Sequence, residues 1–341
     1  MQHRTSLMRY AVILAGVALT LAFAGSSAYD AWHQREQIQR ASERELGNFA
    51  RMLATETARC VQSVNVLLRD TAWWYQQQGR GLSDEAITRT LATYAELVPQ
   101  VAMLALVDAA GMQRYRSLPV DIPPLDVSYR PYFLVHRDHD HVGLYINAPI
   151  YSRVIGHSAL VMSRRINGPR GQFAGVMAAT VRLDQVRATY NDIQFGSQTE
   201  MHLAMLDGTP VIRLPQQQQL PDVLTRPPTP PAEVAQALLS DEAALHLYRV
   251  ADERPRVVVA ARVPGQSLVV HLVRDEDEIL RGWHTETRHM LVRTLILALG
   301  MSEQVHESCV LMGIDSRSQN DEPDQFCGRG ASGQEEEDTA R

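Results

Sequence analysis

The chain has 341 residues, 45% of them hydrophobic, and a formal net charge of -6. That is enough apolar content for one large or two modest cores, and the wrong sign for a nucleic-acid partner. All 33 permanently cationic side chains are arginine, which excludes P-loop, kinase-lysine and Schiff-base chemistry together.

In chain order, the first element is an apolar run from Tyr10 to Ala28 that contains no charge and follows His3, Arg4 and Arg9. It is close to the ~20 residues needed to cross a hydrocarbon core. Arg4 and Arg9, with no acid before Asp30, place the N-terminus in the cytoplasm and the following chain outside. A cleaved signal peptide is the alternative, because Ala22-Phe23-Ala24 has the small-x-small form of a processing site; both readings export the middle of the chain. From Asp30 to about Gln78, the apolar positions Ile38, Leu46, Phe49, Leu53, Cys60, Val64 and Leu67 follow the period of one helical face, skipped at Ser42 and Glu56. This predicts a long helix leaving the membrane, ended by Gly79-Arg80-Gly81, able to pack on a domain and to pair with a twin.

A second helix is predicted over Ser83 to Leu97. Short runs rich in β-formers follow at Val101–Val107, Gly143–Ile150, Ala159–Ile166 and Phe173–Val181, separated by turn signals that favour antiparallel hairpins. A helix from Leu183 to Ile193 closes this group. The pattern then partly repeats: Met201–Met205 and Pro210–Leu214 flank Asp207-Gly208, and a Gln- and Pro-rich loop, Pro215 to Pro231, precedes a short helix. Three more strands are predicted at Ala244–Val250, Arg256–Val263 and Ser267–Val273. The fold class is therefore α+β, with two small antiparallel modules in series and a boundary near Asn191 to Gln198. Asp275 to Met301 reads as a helix returning to the bilayer, with a short apolar part that holds Arg293 and stops at Ser302-Glu303. Beyond it the acids, Ser, Gly and Gln predict a segment that cannot fold alone, joined as unrelated sequence to an interrupted membrane helix. The expected divisions are a cytoplasmic N-terminus (1–9), a transmembrane helix (10–29), a stalk helix with a membrane-distal module (30–195), a membrane-proximal module (196–281), a second transmembrane helix (282–301) and a disordered acidic tail (302–341).

The densest local signal is Asp126-Val127-Ser128-Tyr129-Arg130-Pro131-Tyr132-Phe133, followed by His136-Arg137-Asp138, Gly143-Leu144-Tyr145-Ile146, Pro149, Ser152-Arg153, Gly156, Ser163-Arg164-Arg165 and Gly171-x-Phe173-x-Gly175. This resembles the membrane-distal half of a double Cache (PAS-like) sensor domain of bacterial transmembrane receptors. In that family a helix with a D-x-S-x-R-x-Y-F pattern leads to two strands ending in a serine-arginine pair, then a G-x-F-x-G strand and a helix. The resemblance covers Asp30 to Arg281 in order of elements and Asp126 to Val181 at motif level. It implies two PAS-like antiparallel modules in tandem flanked by membrane helices, in the inner membrane with the sensor in the periplasm. It also implies a small-molecule ligand, an amino acid or carboxylate, read by a homodimer.

The residue types fit such a site. Arg130 and Arg164 can hold a carboxylate bidentately, Tyr129, Tyr132, Tyr145 and Tyr151 supply apolar walls with hydroxyl tips, and Ser163 or Asn147 can orient the ligand. Against this, arginine is the default surface cation of a lysine-free chain, and Tyr132 and Phe133 suit core packing equally well. Gly171 and Gly175 are expected to serve backbone geometry. The three cysteines, Cys60, Cys309 and Cys327, are too few and scattered for a disulfide framework or zinc site, and the His136 to His141 cluster reads as a solvated loop, so no metal and no cofactor is expected. Gly156-His157-Ser158 lacks the second glycine of a nucleophile elbow, and no His-Glu-x-x-His helix occurs. Receptors with this input continue into a histidine kinase or a GGDEF diguanylate cyclase. Neither signature is present in this chain, which is therefore expected to be non-catalytic as it stands. The competing readings are a membrane-anchored scaffold module and a periplasmic enzyme.

Overall fold

The computed structural model describes residues 2–118, 123–152, 154–191, 199–215, 227–241, 243–251 and 254–318. The described residues form two compact units, one within residues 37–281 and the other from residues 2–36 with 282–318.

In the larger unit, the first helix, α1 (Gln2–Gln77), organises the packing. Leu46, Ala50, Leu53, Val61, Val64, Leu67, Leu68 and Ala72 are buried, at the three-and-four spacing of a single helical face. That stripe belongs to one continuous core that reaches both β-sheets. The two skips in the pattern have separate explanations. Ser42 is buried and its hydroxyl accepts from Arg274 Nη1 at 3.0 Å, whereas Glu56 faces solvent beside Arg59. Helix α2 (Asp84–Glu96) is capped by Ser83, whose Oγ accepts from Ala86 N at 3.4 Å, with Asp84 and Glu85 in the dipole-favoured first turn.

The distal sheet comprises β1 (Val101–Asp108), β2 (Met112–Arg116), β3 (Leu125–Asp126), β4 (Tyr145–Ile146), β5 (Ile150–Ser152), β6 (His157–Asn167) and β7 (Phe173–Arg182). Its order is β3-β2-β1-β7-β6-β4, with β5 also pairing β6. Helices α3 (Pro131–Asp138) and α4 (Leu183–Asn191) complete the module. The proximal sheet comprises β8 (Thr199–Met205), β9 (Pro210–Leu214), β10 (Leu245–Ala251), β11 (Pro255–Arg262) and β12 (Leu268–Asp275), in the order β10-β11-β12-β8-β9, with α5 (Ala232–Ser240) ahead of β10. Every ladder is antiparallel. With the short β3 and β5 set aside, both sheets share one order: second, first, last, fourth, third. The sheets are therefore the same PAS-like module built twice.

Three features differ from the sequence reading. The run Gly143–Ile150 is split into β4 and β5, which pair separately with β6; Pro149 between them has no N–H to give a ladder. Strands β2 and β3 were not expected, since Met112–Arg116 is mostly polar and Leu125–Asp126 is only two residues long. The last helix, α6 (Glu276–Ser318), passes through Ser302-Glu303, because neither residue breaks a helix and no proline follows before Ser318. The expected module boundary and the end of the acidic tail, residues 192–198 and 319–341, lie outside the described residues.

In the smaller unit, α1 and α6 are joined by Trp283 Nε1 donating to Ala31 O at 2.8 Å and Gln34 Nε2 donating to Glu286 Oε2 at 2.8 Å. Leu14, Val17, Leu19, Leu21 and Phe23 of α1 are exposed, as are Leu291, Leu295, Ile296 and Leu299 of α6. Among the described residues, α1 is the one helix long and apolar enough to cross a membrane, with a mean hydropathy of 1.3 over its most apolar window.

Truncating the α1 stripe should destabilise the larger unit. Leu53→Ala or Leu68→Ala, each at a fully buried position, is expected to cost about 2–5 kcal/mol. Arg51→Ala on the exposed face should stay within about 0.5 kcal/mol; denaturant unfolding of the three variants checks this.

Candidate functional site

The Asp126–Phe133 motif folds as a turn that drives a short helix onto the distal sheet. Asp126 Oδ1 accepts from Ser128 N at 2.9 Å, and that bond holds its carboxyl below the usual range. Val127 N donates to Gly111 O at 2.8 Å. Gly111 has φ +87, and a Cβ there would collide with Ser128, so only glycine lets the β1–β2 turn and the motif come this close. Arg130 then caps α3 with Pro131 at its first position, where the missing N–H costs nothing. Tyr132, Phe133 and His136 are the buried face of α3.

Beneath this turn is a cavity of about 50 Å³. Its floor is the sheet face opposite α1: Met103 and Ala105 of β1, Gln113 of β2, Val161 of β6, and Ala178 and Thr180 of β7. Leu125, Val127, Tyr129, Arg130 and Tyr132 roof it, and Ile150, Tyr151, Ser152 and Val154 form the side. Arg116, buried on the floor's face next to Ala105, donates from Nη2 to Pro123 O at 2.9 Å and ties the roof segment down. Gln113, Ser152 and Thr180 are buried polar side chains that have no hydrogen bond to another described residue, so the cavity is where their bonding capacity is directed. The Tyr132 hydroxyl, pushed up to about 12 mainly by burial, remains a protonated donor. The Arg130 guanidinium lies over the Tyr129 ring at 5.1 Å, a cation–π contact that leaves its N–H fork available.

Of the eight candidates read from the sequence, the structure brings Tyr129, Arg130, Tyr132 and Tyr151 together around the cavity. The other four lie elsewhere, for reasons of strand alternation and packing. Arg164 is on the opposite face of β6 with Leu160, Met162 and Ile166, and its Nε donates to Asn65 Oδ1 of α1 at 2.7 Å. Burial, then Arg69 nearby, lowers its pKa. Ser163 is fully buried behind α3, donating to Tyr132 O at 3.2 Å and thereby accepting from His136 Nε2–H at 3.0 Å. Tyr145 meets the His136 ring edge-on at 6.3 Å, and Asn147 is buried with its Nδ2 donating to Ala148 O at 2.7 Å. Gln113 and Thr180 were missed, and Ser152 was read as part of the motif but not as a site residue. Gln113 and Thr180 occupy strand positions in step with Val107 and Ala178, and a face count along β1 and β7 was the signal that could have found them.

The glycines behave as expected, Gly171 at φ +80 and Gly175 at φ +137, the latter pressed against Val107 O. In the 136–141 cluster, His136 points inward while His139, Asp140 and His141 are exposed. Among the described residues no three His, Cys, Asp or Glu side chains converge as a metal set. In the proximal module, α5 and Tyr248 close the corresponding sheet face with an apolar cluster, and the Tyr248 hydroxyl donates to Pro228 O at 3.0 Å.

No family model and no curated protein matches this chain. Solved structures do. The extracellular domain of rpHK1S-Z16, described as a candidate histidine kinase, aligns with TM-score 0.60 at 29% identity over 72% of this chain and 99% of that one. The ligand-binding domain of Mlp24, solved with asparagine, aligns with TM-score 0.52 at 15% identity, covering 73% of this chain and 98% of that one. The ligand-binding domain of the Pseudomonas aeruginosa PAO1 amino acid chemoreceptor PctC, solved with GABA, aligns with TM-score 0.50 at 21% identity over 68% and 99% of the two chains. This chain has the fold of a double Cache sensor domain. Within that fold, the cavity lies in the first Cache module, on the sheet face that α1 leaves free.

Acid should loosen this Cache domain through two buried imidazoles. His136 is pushed down to about 4 from an ordinary 6.5, by burial first and then by Arg165 and Arg164, and its Nδ1 has no partner. His271 of the proximal module is likewise lowered to about 4, by burial and then by His202. Between 6.5 and 4 the unfolded chain therefore binds more protons than the folded one, so stability falls as pH falls through that window. Each imidazole contributes up to about 1.4 kcal/mol per pH unit. Denaturation midpoints measured across the window should show this slope, roughly halved in His136→Gln.

Proposed function

We propose that this chain is the extracytoplasmic sensing region of a bacterial membrane receptor, which binds a small molecule in the distal cavity. The observation that carries the reading is the position of Arg130: an arginine with an open N–H fork, stacked on Tyr129, above three buried polar side chains whose bonds are not taken up. An enzyme reading has no comparable support, because among the described residues that line the cavity no nucleophile is paired with a base. A scaffold would not need buried hydroxyl and amide groups facing a cavity, since apolar side chains pack the same space without a desolvation cost.

The apolar start of α1 is read as the membrane anchor, with Arg4 and Arg9 on the cytoplasmic side and the two modules in the periplasm of the inner membrane. The exposed apolar stretch of α6 is read as the return. Occupancy of the cavity changes the tilt or register of α1 in a homodimer, and a histidine kinase or diguanylate cyclase is the kind of output that reads such a change.

The test is thermal unfolding of the full chain in detergent against amino acids and small carboxylates. At least one class should raise the melting temperature with a concentration dependence set by mass action. The shift should vanish in Arg130→Ala and persist in Arg164→Ala. No shift from either class, or a shift indifferent to Arg130, would overturn the reading. Protease treatment of spheroplasts should cut the modules while α1 protects its N-terminal end.

A further inference from the structure

The charge around the distal cavity is one-sided. Among the described residues that line it, Arg130 is the only ionised side chain; the other polar groups are the amide of Gln113, the hydroxyls of Ser152 and Thr180, and the phenols. Among the described residues, four of the module's carboxylates are engaged away from the cavity. Asp108 takes Arg114 at 2.7 Å, Asp138 takes Arg137 at 2.7 Å, and Asp184 takes Arg182 at 2.6 Å. Asp126, the acid closest in sequence to Arg130, is exposed and committed to its own turn through Ser128 N.

A ligand entering this cavity must exchange its hydration for those groups. A carboxylate gains two charge-assisted bonds from the Arg130 fork. An ammonium gains only neutral acceptors and sits near a guanidinium, leaving a desolvated charge without a counter-charge. We infer that the cavity selects small monocarboxylates that lack an ammonium group, with a hydroxyl or keto oxygen for Gln113, Ser152 or Thr180. The size agrees, since about 50 Å³ admits a ligand of few heavy atoms. The inference rests on the sensing reading above and narrows it to one class of anion.

Three molecules that differ by single groups separate the terms: L-lactate, L-alanine, in which an ammonium replaces the hydroxyl, and lactamide, in which an amide replaces the carboxylate. Pyruvate and propanoate extend the acid series. In thermal unfolding of the full chain, lactate or pyruvate should raise the melting temperature, and alanine and lactamide should not. Arg130→Ala should lose the shift. Gln113→Glu, nearly isosteric, should weaken lactate at least tenfold, read against the variant's own unliganded melting temperature. Equal or larger shifts with alanine would overturn the inference and leave the sensing reading standing. Shifts from alanine or other amino acids with none from any of the acids would do the same. If neither these acids nor any amino acid shifts the protein, both fail.

Discussion

Both modules depend on a single buried stripe along α1. From Leu46 to Ala72 its apolar residues enter a core that continues into the distal strands through Leu104, Met162 and Met177 and into the proximal strands through Met201, Ile212, Val259 and Val270. A sheet with an apolar face must bury that face against another element. One helix long enough to cover two sheets removes that difficulty for both, which is why the order of strands can be identical in the two modules while their other faces diverge. Polar contacts add geometry to the apolar ones: Arg274 reaches Ser42 and Glu45, Arg249 reaches Glu43, and the Thr57 and Tyr190 hydroxyls meet at 2.6 Å.

With one face of each sheet committed to α1, the two remaining faces are free to differ. On the proximal sheet, Leu238, Tyr248, Val258 and Val269 fill that face under α5. On the distal sheet, α3 covers only part of it, through Phe133 packed edge-on against Phe173 at 5.4 Å, and the remainder is the cavity. The difference comes from a few residues. Gly111 permits the close approach that places the Asp126–Arg130 turn over β1 and β2, and no equivalent motif precedes β10.

Much of this was legible in the sequence because periodicity reports burial directly. The α1 stripe, the paired hairpins and the two-module parse follow from spacing, and the Asp126–Phe133 pattern marked the roof of the cavity. What spacing alone did not resolve was the side of the sheet. Arg164 and Ser163 are adjacent, so they must point to opposite faces, and Leu160, Met162 and Ile166 already placed Arg164 with the helix-facing set. Tyr145 and Asn147 were drawn in by type, yet β4 sits at the sheet edge beyond α3. Gln113 lay in a stretch too polar to read as a strand, and Thr180 was hidden in an apolar run; a floor made of isolated polar residues on several strands has no local signature.

The same alternation gives β6 a particular mechanical place. Three consecutive residues divide between its faces: Ser163 and Arg165 hold α3, through Tyr132 O and His136 O, while Arg164 holds α1 through Asn65. The helix that Arg130 caps and that carries Tyr132 is thus anchored to one three-residue run of β6, whose middle residue holds the helix that underlies both sheets. Protein interiors are close-packed and deform little, so a ligand that draws Arg130 inward loads α3, and α3 has β6 beneath it. On the sensing reading, the shortest physical route from the cavity to α1 is therefore one strand thick. His136 shows what this arrangement costs: it is held neutral, with one ring nitrogen unpartnered, so that its other nitrogen can meet Ser163 at the point where α3 joins the strand.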